Sequence, residues 1–371
     1  MANFQINVGI KMGKILSIIV PSYNMEAYLP KCLGSLIIDD KELLQKLDVI
    51  VVNDGSKDRT SEIAHEFESK YTGVFRVIDK PNGHYGSCIN AALPVAKGEY
   101  VKVLDADDSV ETAAFEKMLR VICEELEKGD SAADLIVSDY VSVDPDGKNL
   151  KRPKFGLQET SRSLADIQEG WSRLTIHTIC YRTQNLLKTG YRQTEGCAYT
   201  DTEWIIEPMV TVRRLRYLPI VVTHYLLGRE GQTVDVKVLA RSFQAILNIT
   251  EGLVSRYADK CTMCEKEALG YYSRQVRDMV SMSYLCGLLG YEGEKMQGDM
   301  KGFDEYLSQY PEFYRESENF VYGPNHFPFR YVAEWRKHGS GLYWRSRIML
   351  SRWLLNVGGL VLPKIRALVR S

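Results

Sequence analysis

The stretch that most constrains this chain is Tyr100-Val-Lys-Val-Leu-Asp-Ala-Asp-Asp108, an apolar run of strand length that ends in three carboxylates. A run rich in Val and Leu reads as a central strand of a parallel sheet, covered on both faces. Ionised carboxylates are costly to bury without partners, so Asp105, Asp107 and Asp108 belong where the strand leaves the core. In open α/β sheets, the crevice beyond the carboxyl ends of the strands is where ligands bind. Asp105 and Asp107, two residues apart, would offer hard oxygen ligands to one divalent ion, and Mg²⁺ or Mn²⁺ suits such carboxylates. A solvated Asp-rich turn has the same composition, so the rest of the chain must decide.

The surrounding pattern places this strand among others. Ile15–Val20 reads as a first strand stopped by Pro21, with Pro21-Ser-Tyr-Asn24 as its exit loop and helical spacing over Glu26–Ile38. Leu47–Val52 is a second strand ending in Asn53-Asp-Gly-Ser56, followed by a helix over Asp58–Tyr71. Phe75–Ile78 is a third, followed by Lys80-Pro-Asn-Gly-His-Tyr-Gly86 and a helix to about Ala96. After the Asp-tipped strand, Met118, Leu119, Ile122 and Leu126 mark another helix, and Asp134–Ser138 a further strand. Such alternation predicts right-handed βαβ units and a parallel sheet. Parallel strands deliver their exit loops to one side, which predicts a crevice lined by Tyr23, Asp54, Asn82, Asp105 and Asp107.

With 371 residues the chain has room for two domains, or for one large domain with an appendage. A net charge of −1 argues against a general nucleic-acid binder. Residues 1–13 read as a disordered leader without a secretory signal, and no run reaches membrane-spanning length. The eight cysteines are single except for Cys261-Thr-Met-Cys264, and read as reduced, buried thiols of a cytosolic protein rather than a zinc site. Residues 145–170 turn polar and irregular, as a lid or a sheet edge. Arg216–Tyr225 is another strand, and from about Val236 the chain turns helical. The domain plan is therefore a catalytic domain over 14–235, a helical region over 236–340 and a basic tail over 341–371.

That tail carries six cations (Arg345, Arg347, Arg352, Lys364, Arg366, Arg370), no acids, and Trp344 and Trp353. It suits the anionic inner face of a membrane, bound peripherally. The alternative is a helix packed on the catalytic domain or in a homodimer.

On these residues the chain resembles the family 2 glycosyltransferases over roughly residues 14–235. IIVPSYNMEAYLPKCLGSL is similar to the family's opening strand, loop and helix, and VIVVNDGSKDRT to its most recognisable block. NGHYGSCIN stands where the family has a looser Asn-x-Gly stretch, and LDADD resembles its DXD motif. TDTEW takes the place of Glu-Asp ahead of an aromatic, with Thr200 where the family usually has Glu. The resemblance implies the GT-A fold, a Rossmann-like α/β architecture with a mainly parallel sheet flanked by helices, here with a helical C-terminal extension. It implies an inverting enzyme that uses Mn²⁺ or Mg²⁺ and moves a sugar from a nucleoside-diphosphate donor, UDP-linked, to a glycan or lipid-linked acceptor in cell-surface polysaccharide synthesis. The Gln/Arg-x-x-Arg-Trp signature of the processive polymerases is absent, which favours addition of single sugars.

Residue by residue, the resemblance puts Pro21, Tyr23, Asp54, Asn82, Gly83, Asp105 and Ala106 against the nucleotide sugar. It puts Asp107, with Asp105, on the metal, and makes Asp201 the general base with Glu203 as the alternative. Each has a plainer reading beside it. Tyr23 is a base-stacking ring or a packed loop tyrosine, and Asp54 accepts a base N–H or caps the following helix. Asp201 takes the acceptor proton or serves an N-terminal cap, since Thr-Asp-Thr-Glu resembles a capping box. Arg229 grips the diphosphate or is a surface arginine. His84 and His224 reach the metal or the acceptor, or are structural. Two other functions stay open: a sugar nucleotidyltransferase, although PSYN lacks that class's Gly-rich phosphate loop, and an inactive binding protein of the same fold.

Overall fold

In a computed structural model the chain is described over residues 13–167, 174–197, 199–228, 243–260, 264, 266–290, 294–321, 329–339, 346–347 and 349–350. It divides into two compact units, Met1–Thr233 with Lys260–Tyr272, and Val234–Asp259 with Ser273–Ser371. The first unit is built on a nine-stranded sheet. Its strands are β1 (Leu16–Ser22), β2 (Leu47–Asn53), β3 (Phe75–Asp79), β4 (Tyr100–Val103), β5 (Ser109–Val110), β6 (Leu135–Val143), β7 (Asn149–Lys151), β8 (Ile179–Arg182) and β9 (Leu215–Leu226). They lie in the order β3-β2-β1-β4-β8-β6-β9-β5, with β7 paired to β6.

The first four strands form the parallel half that the alternation predicts. Every residue of β2 and β4 is buried, as expected of strands covered on both faces. Their period of two splits the core. Val49 and Val51 of β2 pack with α1 (Leu29–Ser35), α3 (Thr60–Lys70) and α5 (Thr112–Glu127) through Leu33, Ile63, Phe115 and Met118. The intervening Ile50 and Val52 face α4 (His84–Ala92) and the buried Trp204 of α7 (Asp201–Ile206), through Cys88 and Ile89. Between α1 and β2 lies the short α2 (Lys41–Leu44), and α6 (Thr183–Lys188) follows β8.

The structure adjusts several expectations. β1 runs through Pro21 to Ser22 instead of stopping at the proline. Its pairing with β4 has ended at Ile19↔Val103, so the missing proline N–H costs the sheet nothing on that side. The other half of the sheet is not simply parallel. β8 enters antiparallel between β4 and β6, and β6 and β9 are parallel to each other across a β-bulge near Asp139. The irregular stretch after β6 supplies an edge strand, β7. α4 begins at His84, inside the segment expected to be loop.

Asp48 ties together the amino ends of the parallel strands. Its carboxylate accepts from Ser17 Oγ at 2.7 Å, Arg76 Nε at 2.7 Å, Arg76 Nη2 at 3.0 Å and the Lys97 N–H at 2.9 Å. Burial alone would raise this carboxyl, but the bonds from Arg76, Ser17 and Lys97 outweigh it and hold it below the usual range.

The second unit is helical, with Phe243–Lys260, Glu294–Leu307, Pro311–Ser317 and Tyr331–His338 among its elements. Arg336 is its polar centre, paired with Asp304 at 2.8 Å and laid over the Tyr314 ring at 3.7 Å. Among the described residues no helix is long and apolar enough to cross a membrane. Most of 341–371, including both tryptophans, lies outside the described residues.

Removing the Asp48 carboxylate should destabilise the first unit strongly, because Arg76 would lose its buried partner. For Asp48→Ala, urea unfolding should show a loss of about 3–5 kcal/mol at neutral pH. The difference from wild type should shrink as pH falls through the depressed pKa, where wild-type Asp48 itself becomes protonated.

Candidate functional site

The carboxyl ends of β1, β2 and β4 open onto one cleft of about 380 Å³. Pro21, Ser22 and Tyr23 reach it from β1, Asp54 from β2, and Asn82, His84, Tyr85 and Cys88 from the start of α4. Asp105, Ala106 and Asp107 come from the exit of β4, Tyr199 and Asp201 from the start of α7, and Tyr225 from β9. Nine of the residues singled out by sequence therefore share one cavity: Pro21, Tyr23, Asp54, Asn82, His84, Asp105, Ala106, Asp107 and Asp201. Tyr23 stands at the mouth, 45% exposed.

The β2 exit is a built turn. Gly55 has φ +74°, and a Cβ there would sit 2.9 Å from the Asn82 nitrogen, so only glycine fits. Asp54 is buried, and Lys80 Nζ lies 2.6 Å from its Oδ1. The Gly83 N–H donates to the same oxygen at 3.0 Å, which makes Gly83 a backbone support that does not line the cleft. Oδ2 takes neither of these bonds. Lys80 was not anticipated; its only sequence signal is its position one residue past β3.

Beyond β4 the charges are concentrated. Asp105, Asp108 and His177 each offer a ligand atom within 4.8 Å of the others. His177 Nδ1 lies 3.1 Å from Asp108 Oδ2, and the Leu226 N–H donates to Asp108 Oδ1 at 2.9 Å. Tyr85 Oη donates to Asp105 at 3.0 Å. Burial, and then the charge of Asp108, push the Asp105 carboxyl up to about 7. Burial pulls His177 down to about 4, so its ring is neutral at neutral pH and able to ligate. Carboxylates joined by one imidazole make a donor set that suits Mn²⁺, and Mg²⁺ through the oxygens alone.

The histidine at the acidic strand end is thus His177, not His224. His224 belongs to a separate hollow with Glu111, Asn149–Arg152 and Val221. Successive strand residues face opposite sides, so with Tyr225 turned into the cleft its neighbour must turn away. Asp201 and Glu203 also separate. Asp201 lines the cleft, and burial raises its carboxyl above the usual range. Glu203 is 2% exposed and accepts from Thr194 N–H at 2.7 Å and Thr194 Oγ1 at 2.8 Å. The residue at the N-cap of α7 is Thr200, not Asp201. Arg229 lies outside the described residues.

Backbone strain collects at this site. Among the described residues, positive φ outside glycine occurs at Asn24, His84 and Tyr199. His84 and Tyr199 line the cleft and Asn24 lies between two residues that do. Such conformations persist only where the surroundings impose them.

With this geometry in view, comparisons with known proteins agree. Residues 17–180 match the Glycosyl transferase family 2 model. An uncharacterized glycosyltransferase of Mycoplasma pneumoniae, the MG025 homolog, is 34% identical over 145 residues, covering 38% of this chain and 45% of that protein. The chain thus spans less than half the length of that relative. The crystal structure of S. aureus TarS 1-349 matches with a TM-score of 0.62 at 18% identity, covering 88% of each chain. The same protein in complex with UDP matches at 0.60 and 16% identity, again over 88% of each. Residues 17–180 are thus similar to glycosyltransferase family 2, and the fold is that of the GT-A glycosyltransferases.

The two histidines give a direct test of the acidic site. His177→Ala should weaken Mn²⁺ binding by at least about tenfold, the scale on which groups around a metal act. His224→Ala should leave it unchanged. Calorimetric titration of each variant with Mn²⁺ alone separates the two.

Proposed function

We propose that the protein is an inverting glycosyltransferase that moves a single sugar from a nucleoside-diphosphate donor, UDP-linked, to a hydroxyl of a glycan or lipid-linked acceptor. One observation carries this reading: Tyr23, Asp54, the Asp105–Asp108 cluster and Asp201 meet in one cleft at the carboxyl edge of the sheet. The likeness in fold to TarS in complex with UDP supports the choice of nucleotide. Synthesis of a cell-surface polysaccharide is the setting we assign to it.

Each part of the donor has a matching group. The exposed ring of Tyr23 offers a face to the base. Asp54 Oδ2 accepts a base N–H, with Oδ1 pinned by Lys80 and Gly83. Asp105, Asp107 and Asp108, with the His177 imidazole, would hold Mn²⁺ or Mg²⁺. Such an ion neutralises charge on the departing diphosphate when bound. Asp201 accepts the proton of the acceptor hydroxyl as that oxygen bonds to the anomeric carbon. The bond to the diphosphate breaks on the opposite face, and its electron pair leaves with the nucleotide. A single displacement with one base inverts the anomeric centre.

A panel of nucleotide sugars, followed by release of the nucleoside diphosphate, tests this reading. A UDP-sugar with Mn²⁺ should turn over fastest, and EDTA should silence it. Asp201→Asn should lower turnover by about 10²–10⁴-fold with UDP affinity kept. Because burial raises Asp201 and only its ionised form accepts a proton, wild-type kcat should fall on the acid side above the ordinary Asp value of about 3.9. Wild-type rates in Asp201→Asn, or turnover indifferent to EDTA, would contradict the proposal.

We also propose that residues 341–371 hold the enzyme at the anionic inner face of a membrane, where a lipid-linked acceptor would lie. Six cations with no acid would be poorly placed in a dry interface, whereas each adds about 1 kcal/mol beside anionic lipid. A chain ending at Ser340 should stop sedimenting with phosphatidylserine vesicles yet keep UDP binding. Unfolding on truncation would show instead that the tail is structural.

A further inference from the structure

Glu203 is the second acid of α7, yet it is used neither in the cleft nor as a cap. A glutamate at the third helical position commonly reaches back to the N-cap residue. Here Thr200 makes no side-chain capping bond, and the Glu203 carboxylate instead holds both the N–H and the hydroxyl of Thr194. Thr194 is itself pressed against α4. Its carbonyl oxygen lies where a Cβ on Gly86 would be only 1.9 Å away, so glycine is required for the approach.

The neighbours of Thr194 are fastened to the same helix. Asn90 Nδ2 donates to the Gln193 carbonyl at 2.8 Å, and the Gln193 N–H donates to Asn90 Oδ1 at 2.9 Å. The Gly196 N–H donates to the Gly83 carbonyl at 3.0 Å. At the other end the Gln193 side-chain amide donates to the Thr200 carbonyl, one residue before Asp201. α4 also carries Tyr85, which donates to Asp105. A continuous line of contacts therefore runs from Asp105 through Tyr85, Gly86 and Thr194 to Glu203, two residues from Asp201.

We infer that Glu203 is a positioning residue: by gripping Thr194 it locks the segment that carries Asp201 onto α4, and so fixes Asp201 relative to the acidic end of β4. This rests on the reading of Asp201 as the base. Residues two apart on a helix face different ways, so the carboxylate turned inward can serve only through the one turned to the cleft. Misplacement of a reacting group by about 1 Å can cost about 10²-fold in rate, which gives the brace its consequence.

The test uses the full chain, with turnover read as nucleoside diphosphate release from the fastest donor and UDP affinity read by calorimetry with Mn²⁺. Glu203→Ala should lower kcat by about 10–100-fold, leaving UDP affinity within about twofold, far inside one decade. Thr194→Val should do the same and supplies the test should Glu203→Ala fail to fold. The double variant should be no slower than the worse single one, as expected of two residues acting through one contact. Glu203→Gln, which keeps one accepting oxygen, should recover part of the rate and retain the acid limb set by Asp201. Glu203→Gln as inactive as Glu203→Ala, with that limb gone, would make Glu203 the base and overturn the inference. Wild-type kcat in Glu203→Ala and Thr194→Val, with Asp201→Asn inactive, would overturn the inference alone. Full turnover in Asp201→Asn would overturn the base assignment and the inference with it.

Discussion

An apolar strand buried on both faces cannot hold a cluster of unpartnered carboxylates inside, and the rest of this structure follows from where β4 puts them. Its acids emerge together at the carboxyl edge, where Asp105 and Asp108 meet His177. The sheet supports them from beneath with a cation. Lys102, in the middle of β4, is 1% exposed and donates to the His177 carbonyl at 2.5 Å. Burial pulls its ammonium down to about 8 and thus works against its charge, while Asp108 and Asp105 work to keep it. Thr223 of β9 donates to the same carbonyl at 3.0 Å, and the His177 ring stacks on Tyr225 with centroids 4.2 Å apart. The His177 turn, otherwise irregular, is thereby tied to β4 and β9 beside the acidic cluster.

The two ends of the parallel strands are treated in opposite ways. At the amino ends Asp48 has its partners in place, and its charge is consumed in holding β1, β2, β3 and the turn before β4 together. At the carboxyl ends acids crowd one another, and burial first, then the charge of Asp108, push the Asp105 carboxyl up to about 7. Crowded carboxylates are unfavourable without a counter-charge, and that cost is what a divalent ion and a diphosphate would relieve. Stability and chemistry are thus separated along the length of one sheet.

Much of this was legible because it depends on local pattern. Strands of continuous apolar residues, helices between them and polar exits at Asp54 and Asp105 placed the cleft before any coordinates. What escaped was brought in by tertiary pairing. β8 enters the sheet antiparallel, and no periodicity announces the direction of a four-residue strand. His177 precedes it in a stretch without regular structure, so nothing in the sequence tied it to Asp108, about seventy residues earlier. Lys80 and Tyr85 sat inside a recognised stretch, but their partners depended on where α4 begins. Two choices were open to stricter reasoning. Strand alternation excludes His224 once Tyr225 faces the ligand, and helical geometry allows only one of Asp201 and Glu203 into the cleft.

The central claim is that the exits of β1, β2 and β4 form a single nucleotide-sugar site centred on the acidic end of β4. Crystals grown with UDP and Mn²⁺, measured for anomalous scattering by manganese, test it most directly. The account predicts a manganese peak between the Asp105–Asp108 cluster and His177, with the diphosphate on its open side and the uracil between Tyr23 and Asp54. A manganese peak elsewhere, or UDP bound away from these residues, would contradict it.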